Sequence, residues 1–187
     1  MTEASINSWW RLPTAADAAA AARGALSAMP RVEGLIRFAV LRSPTEPVLF
    51  LQSLWASRTA RDHYVDTIAS TARAAVDTLV PTIERDRSLT EIRHTITHTD
   101  RAARSWTAHR LPVLDLVAAH GLARRESLRL RTTPPPGLAR ATIGVTDDDT
   151  PEVVVVEEWA DTLPTDAYLP FGVISGWRGS GGGPGRR

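Results

Sequence analysis

A chain of 187 residues with 43% apolar content is long enough to bury a core, which excludes wholesale disorder. It has no cysteine, which excludes disulfides, thiolate metal sites and a cysteine nucleophile. The net charge is +1, and all 22 basic residues are arginines, scattered and balanced by 21 acids, so neither nucleic acid nor an anionic membrane is an expected partner. The first 30 residues lack a basic start followed by an apolar run, and no stretch has the length of a membrane-spanning helix. The expected location is the cytoplasm.

In chain order, a short aromatic strand is expected near Ile6 to Leu12, ahead of Pro13. Thr14 is an N-cap for an alanine-rich helix from Ala15 to Met29 that ends at Pro30. A hairpin follows, Leu35 to Arg42 and Val48 to Ser57, around Ser-Pro-Thr-Glu-Pro. One long helix is expected from Thr59 to Leu79, then a strand from Glu91 to Thr99. The second half repeats the plan. A helix spans Val113 to Arg131, with Leu114, Val117, Leu122 and Leu128 near one face, and stops at three prolines. A hairpin follows, Leu138 to Thr146 and Glu152 to Ala160, in which the β-branched run Val153 to Val156 reads as a strand buried on both faces. A short helix between Leu163 and Leu169 and a last strand from Phe171 to Trp177 complete it, before a glycine-rich tail.

The halves also echo each other in residues, in the same order. Gly34-Leu35-Ile36-Arg37 returns as Gly137-Leu138-Ala139-Arg140. Trp55-Ala56, with Asp62 and Tyr64 behind it, returns as Trp159-Ala160 with Asp166 and Tyr168 at the same spacing. Upstream, Ser8-Trp9 and Arg11-Leu12-Pro13 match Ser105-Trp106 and Arg110-Leu111-Pro112. The expected fold is therefore α+β: two ferredoxin-like β-α-β-β-α-β units, residues 1–100 and a degenerate 101–178, with 179–187 as a flexible tail. Each unit's antiparallel sheet carries helices on its outer face. Two such sheets facing each other form a barrel within one chain, so a monomer suffices, although a homodimer remains open.

The Gly-x-x-x strand after the first helix, the hairpin, the tryptophan closing its third strand and the ring-bearing helix behind it resemble the antibiotic biosynthesis monooxygenase family of the dimeric α+β barrel superfamily. The likeness covers Ala15 to Thr99 most strongly and Ser105 to Trp177 more weakly. Family members often carry histidine where Tyr64 and Tyr168 stand. The resemblance implies oxidation of a polycyclic aromatic, polyketide-type intermediate of secondary metabolism by molecular oxygen, without metal, haem or flavin. Such a site needs apolar walls, ring stackers and a base or hydrogen-bond donor near a phenolic oxygen. A cyclase or isomerase of the same superfamily would need the same cavity without oxygen. A non-catalytic ligand-binding or scaffold partner is a third reading, favoured by the eroded second half.

The residues expected to act catalytically are Trp55, Tyr64 and His94, with Arg37, Leu51, Ser53, His98 and Trp159 binding substrate. Trp55 and Trp159 either turn an indole N–H to a substrate oxygen or bridge sheet and helix as core residues. Period-two alternation puts Leu49, Leu51, Ser53 and Trp55 on one face, and Val153, Val155, Glu157 and Trp159 on the matching one. Tyr64 can hydrogen-bond a phenolate, whereas its neighbour His63 points elsewhere and reads as a surface residue. His94 and His98 lie about 13 Å apart along a strand, too far to share a metal, and each is either a base facing inward or an exposed side chain. Arg37 and Arg140 could hold a substrate anion or pair with a carboxylate between the halves. Asp147 to Asp149 lacks the spacing of a calcium loop.

Overall fold

The computed structural model describes residues 2–146 and 150–161, and the backbone of 171–178. The expected short helix with Tyr168, the Asp147–Asp149 turn and the tail lie outside these residues. Eight strands and four helices are described: β1 (Ala4–Arg11), α1 (Ala15–Ala28), β2 (Leu35–Arg42), β3 (Val48–Trp55), α2 (Arg58–Thr67), α3 (Ala69–Asp77), β4 (Glu84–Thr97), β5 (Ser105–Pro112), α4 (Leu116–Thr132), β6 (Leu138–Thr146), β7 (Glu152–Trp159) and β8 (Phe171–Arg178). The class is α+β, and every strand pair is antiparallel. Hydrogen bonding runs β1-β3-β2-β8-β5-β7-β6-β4 and returns to β1, which closes a barrel. The order β4-β1-β3-β2 in the first half is the same permutation as β8-β5-β7-β6 in the second. The halves meet at β2–β8 and β4–β6.

Two of the sequence echoes occupy matching places. Gly34 and Gly137 both have left-handed backbone, at φ 82° and 85°, which glycine adopts without steric cost. Leu35 and Leu138 pair with Trp55 and Trp159, and a register shift follows each. The amide of Ala56 donates to the Gly34 carbonyl at 2.8 Å, and that of Ala160 to Gly137 at 3.0 Å. The upstream echoes do not match in the same way. Ala4 pairs with Trp55 where Ser105 pairs with Trp159, so Trp9 corresponds to Arg110 and Ser8 to His109. Strand pairing is set by which side chains reach the core, and a shared Ser-Trp dipeptide does not override that.

The alternation of strand residues divides the core. Outward-facing residues of the first half pack with α1 and α3 in a cluster that includes Leu49, Leu51, Trp55, Ala22 and Val76. Val153, Val155 and Trp159 do the same beneath α4 with Ala119 and Ala123. Inside the barrel, Leu41, Phe50, Trp106, Val154 and Val156 fill the space between the two curved sheets. The valine run is buried on both faces, as its composition implies.

Three elements depart from expectation. The long helix is broken at Ile68 (φ −121°, ψ −36°), which separates α2 from α3. The Thr67 hydroxyl donates back to the His63 carbonyl at 2.6 Å, a side-chain bond that competes with the helical ladder at that turn. β4 begins at Glu84, seven residues before the expected Glu91, because its charged stretch pairs along the whole of β1. Leu114, just before α4, and Val117 and Leu128 within it are exposed, and the buried side of the helix is Ala119, Ala123, Ser127 and Leu130. The sheet beneath already presents valines and a tryptophan, so close approach of the helix selects small side chains at Ala119, Ala123 and Ser127, and Leu130 is the large side chain buried near its C-terminal end.

Candidate functional site

Among the described residues, the centre of the barrel interior is filled. It is plugged by the apolar cluster and by a buried polar chain. Arg37 donates to Glu158 at 2.6 Å and to Gln52 at 2.7 Å, and its guanidinium lies 4.6 Å from the Trp106 ring centre. Gln52 in turn donates to Asn7 at 3.1 Å. Arg37 therefore ties the first half to a carboxylate of the second, the structural alternative open at that position, and faces away from any cavity under the helices. A hollow of about 530 Å³ opens at one end of the barrel, but its rim charges are of both signs and pair off, as in Arg11 with Glu84 and Arg110 with Asp86.

The better-formed cavity, about 320 Å³, lies on the outer face of the first-half sheet, beneath α1, α2 and α3. The alanines of α1 make it possible: Ala25 and Ala28 stop short of the sheet where longer residues would fill the gap. α1 itself is fixed by Thr14, whose side chain accepts from the Asp17 amide at 3.1 Å. Ile6, Trp10, Phe38, Leu51 and Val76 give apolar walls. Three hydroxyls enter from different elements: Ser8 on β1, Ser53 on β3 and Tyr64 on α2. Three arginines complete the lining, Arg73 from α3 and Arg85 and Arg87 from β4.

Tyr64 is 8% exposed, and its hydroxyl makes no hydrogen bond among the described residues. Burial pushes its phenol above the ordinary tyrosine value, and the positive charge of Arg73 partly opposes that shift. The hydroxyl is thus protonated at neutral pH and offers a donor to whatever fills the cavity. Trp55 is fully buried behind this wall, not in it. Its ring lies 4.9 Å from that of Tyr64, tilted by 33°, and its indole N–H donates to Ser53 Oγ at 2.9 Å. Trp55 therefore holds two lining residues in place, and its N–H is already spent on Ser53.

Of the residues singled out from sequence, Leu51, Ser53 and Tyr64 come together at this cavity with Trp55 behind them. Trp159 takes the place of Trp55 in the second half and donates to Thr107 at 3.2 Å beneath α4. His94 lies on the part of β4 that pairs with β6, half-buried and away from the cavity. Burial and the charges of Arg131 and Arg93 lower its pKa. His98 stands exposed just past the end of β4, and His63 is likewise on the surface. The isoleucines beside His94 and His98 pointed to an inward face, but Ile96 packs toward α4 and not into the barrel.

Sequence reasoning missed Ser8, Arg73, Arg85 and Arg87. The signal for two of them was present: Arg85 and Arg87 are two apart, hence on one face once the strand is extended to Glu84. Among the described residues, no three His, Asp or Glu side chains are grouped to hold a metal, and no helix is long and apolar enough to cross a membrane.

The fold is an α+β architecture shared with several solved structures. A structure titled an anthrone oxidase-like protein superposes with a TM-score of 0.64 at 11% identity, covering 95% of this chain and 94% of its own. A protein of Lactobacillus acidophilus assigned as a monooxygenase gives 0.60 at 15% identity, with 86% and 78% coverage. One assigned as a chlorite dismutase gives 0.54 at 15% identity, with 87% and 82% coverage. At these identities the shared property is the fold, which hosts more than one chemistry. No family profile matches the chain, and no curated protein matches it in sequence.

Proposed function

We propose that the protein is a cofactor-independent oxygenase that oxidises a polycyclic aromatic, polyketide-type compound in the cavity beneath α1–α3. The observation that carries this reading is Tyr64: a buried, protonated phenol with no partner among the described residues, facing an apolar hollow beside the Arg73 charge. Such a site favours the anionic form of a phenol or enol. An anthrone that loses a proton from its methylene carbon becomes an electron-rich anion that can itself pass an electron to molecular oxygen. Combination of the two radicals forms a carbon–oxygen bond at that carbon. The peroxide anion so formed takes a proton back from solvent and loses water, which leaves a carbonyl, so one oxygen atom enters the quinone and the other leaves as water.

The chain's own tasks are to hold the ring system against Phe38 and Trp10, to donate from Tyr64 to the developing oxyanion, and to exclude bulk water. The proton leaves to solvent at the cavity mouth, where Arg73 and Arg87 are exposed. We read the chain as two diverged copies of one unit, 1–100 and 101–178, with the working site in the first. Because the strand ring closes within one chain, this reading needs no second copy. The test is oxygen consumption by metal-stripped protein with a panel of anthrones and hydroquinones, corrected for spontaneous oxidation. Protein-dependent uptake with a matching quinone is expected. Conversion that proceeds equally without oxygen would replace the oxygenase with a cyclase.

A further inference from the structure

Among the described residues, the cavity wall carries three guanidinium groups and no carboxylate. That imbalance asks for an anion, and the three groups are not equivalent. Arg85 is engaged: it donates to Asp77 at 2.6 Å, and its guanidinium lies 4.6 Å from the centre of the Trp10 ring. Its charge is met, and its plane supports the aromatic wall. Arg73 and Arg87 make no ion pair and no side-chain hydrogen bond among the described residues. An unpaired arginine on open surface carries no meaning, and Arg23 and Arg124 are of that kind. What differs here is convergence. Arg73 from α3 and Arg87 from β4 come from two successive elements, a helix and a strand, and both border one apolar hollow with a buried hydroxyl inside it.

We infer that the ligand is an aromatic acid: a fused-ring body seated against Phe38, Trp10 and Leu51, and a carboxylate held at the mouth by Arg73 and Arg87. This rests on reading the cavity as the substrate site. A guanidinium matches a carboxylate with two parallel N–H donors, which a lysine cannot do, and two such groups fix the orientation of a flat ligand as well as its affinity. The acid then points to solvent while the ring system reaches into the hollow alongside Tyr64. The orientation requires a substrate whose acid group lies at the edge of the ring system.

The probe pair is anthraquinone-2-carboxylate and the corresponding primary amide, which share shape and differ in charge and neither of which reacts with oxygen. Calorimetric titration at low salt is expected to show the carboxylate binding about tenfold tighter than the amide. Arg73→Gln and Arg87→Gln are each expected to weaken the carboxylate about fivefold and leave the amide unchanged, since both arginines are exposed and the fold does not depend on them. Arg124→Gln, on α4, changes neither ligand. Equal affinity for the two probes, no binding of either, or a loss in Arg124→Gln as large as in Arg73→Gln overturns the assignment. If the probes bind equally while oxygen uptake persists, the acid recognition fails and the oxygenase reading stands. Selective carboxylate binding without any uptake is the reverse case.

Discussion

The two halves of this barrel put the same strand order to different use. In the first, the outer sheet face presents Ile6, Ser8 and Ser53 to a hollow closed by Tyr64. In the second, strand register places Thr107, His109 and Glu157 at the corresponding positions. Those three bond to one another, and of them His109 alone borders a hollow, the one at the end of the barrel. Thr107 donates to Glu157 at 2.8 Å, His109 Nε2 lies 3.7 Å from the same carboxylate, and Arg129 approaches it from α4 at 3.7 Å. Trp159 feeds its N–H into the cluster through Thr107, where Trp55 feeds Ser53. The lesson is that the backbone frame does not make a site. Small residues and unpartnered hydroxyls leave room and donors for a ligand, and a self-satisfied ionic cluster at the same positions leaves neither.

The largest expected effect breaks that asymmetry in function. Tyr64→Phe removes the phenol donor without emptying volume, and turnover is expected to fall about 100-fold at neutral pH. Thermal stability should hardly change, because the hydroxyl has no partner among the described residues to lose. The pH profile carries a second signature. Burial raises the Tyr64 pKa, so its donor is present below the ordinary tyrosine value and is lost only when the pH climbs above the raised one. The wild-type rate should therefore decline on the alkaline side, and that limb should be missing in Tyr64→Phe. A variant with unchanged rate removes Tyr64 from the mechanism.

The next effect is structural and again falls on the first half. Gly34 sits at φ 82°, and a methyl group added there would lie 2.5 Å from the Ala60 side chain in the first turn of α2. Gly34→Ala must both strain the backbone and push away the helix that carries Tyr64. A loss of about 2–3 kcal/mol in urea unfolding is expected, together with weaker ligand binding. A cost below about 0.5 kcal/mol would mean that the turn can reform without its left-handed residue.

The paired tryptophans sharpen the contrast. Trp55→Phe and Trp159→Phe should each cost about 1–2 kcal/mol, since each loses an indole hydrogen bond and some packing volume. Only Trp55→Phe should raise KM, because only Trp55 holds cavity-lining groups, Ser53 and Tyr64. Equal kinetic effects of the two variants would place the site in both halves or in neither.

Much of this was legible in residues, and for identifiable reasons. The Gly-Leu and Trp-Ala echoes survive because each pair closes the same turn, with a left-handed glycine whose carbonyl accepts from the alanine amide. The hairpins and the all-valine strand follow from composition that suits no other environment. Tyr64 stood out over His63 because the echo keeps Tyr168, whereas the position that matches His63 is Ala167. The arginines were not recoverable as a group, since Arg73 and Arg87 meet only when a helix and a strand fold over the same hollow. Arg37 was placed on the correct strand, but its face depends on the register shift between Leu35 and Arg37, which alternation alone does not reveal. His94 failed for a similar reason, as a shift lies between Ile92 and His94.

The smallest effect tests the second half by itself. Burial alone would raise the Glu157 carboxyl, but hydrogen bonds from His109 and Thr107, with the charges of His109 and Arg129, outweigh it and hold the pKa below the ordinary 4.5. A carboxyl depressed in the folded state contributes stability that is present above its unfolded value and is lost as the pH falls through its folded one. Glu157→Gln keeps the shape and one acceptor but drops the charge, so it should cost about 1 kcal/mol at pH 7. That deficit should shrink below about pH 4.5 as the wild-type carboxylate is protonated in both states. Aerobic turnover should be untouched throughout, because the cluster seals its own half and does not serve the cavity of the other. A deficit that stays constant down to pH 3 would mean the carboxylate is stabilised by packing alone. Lost turnover would mean that the sealed half still takes part in the chemistry.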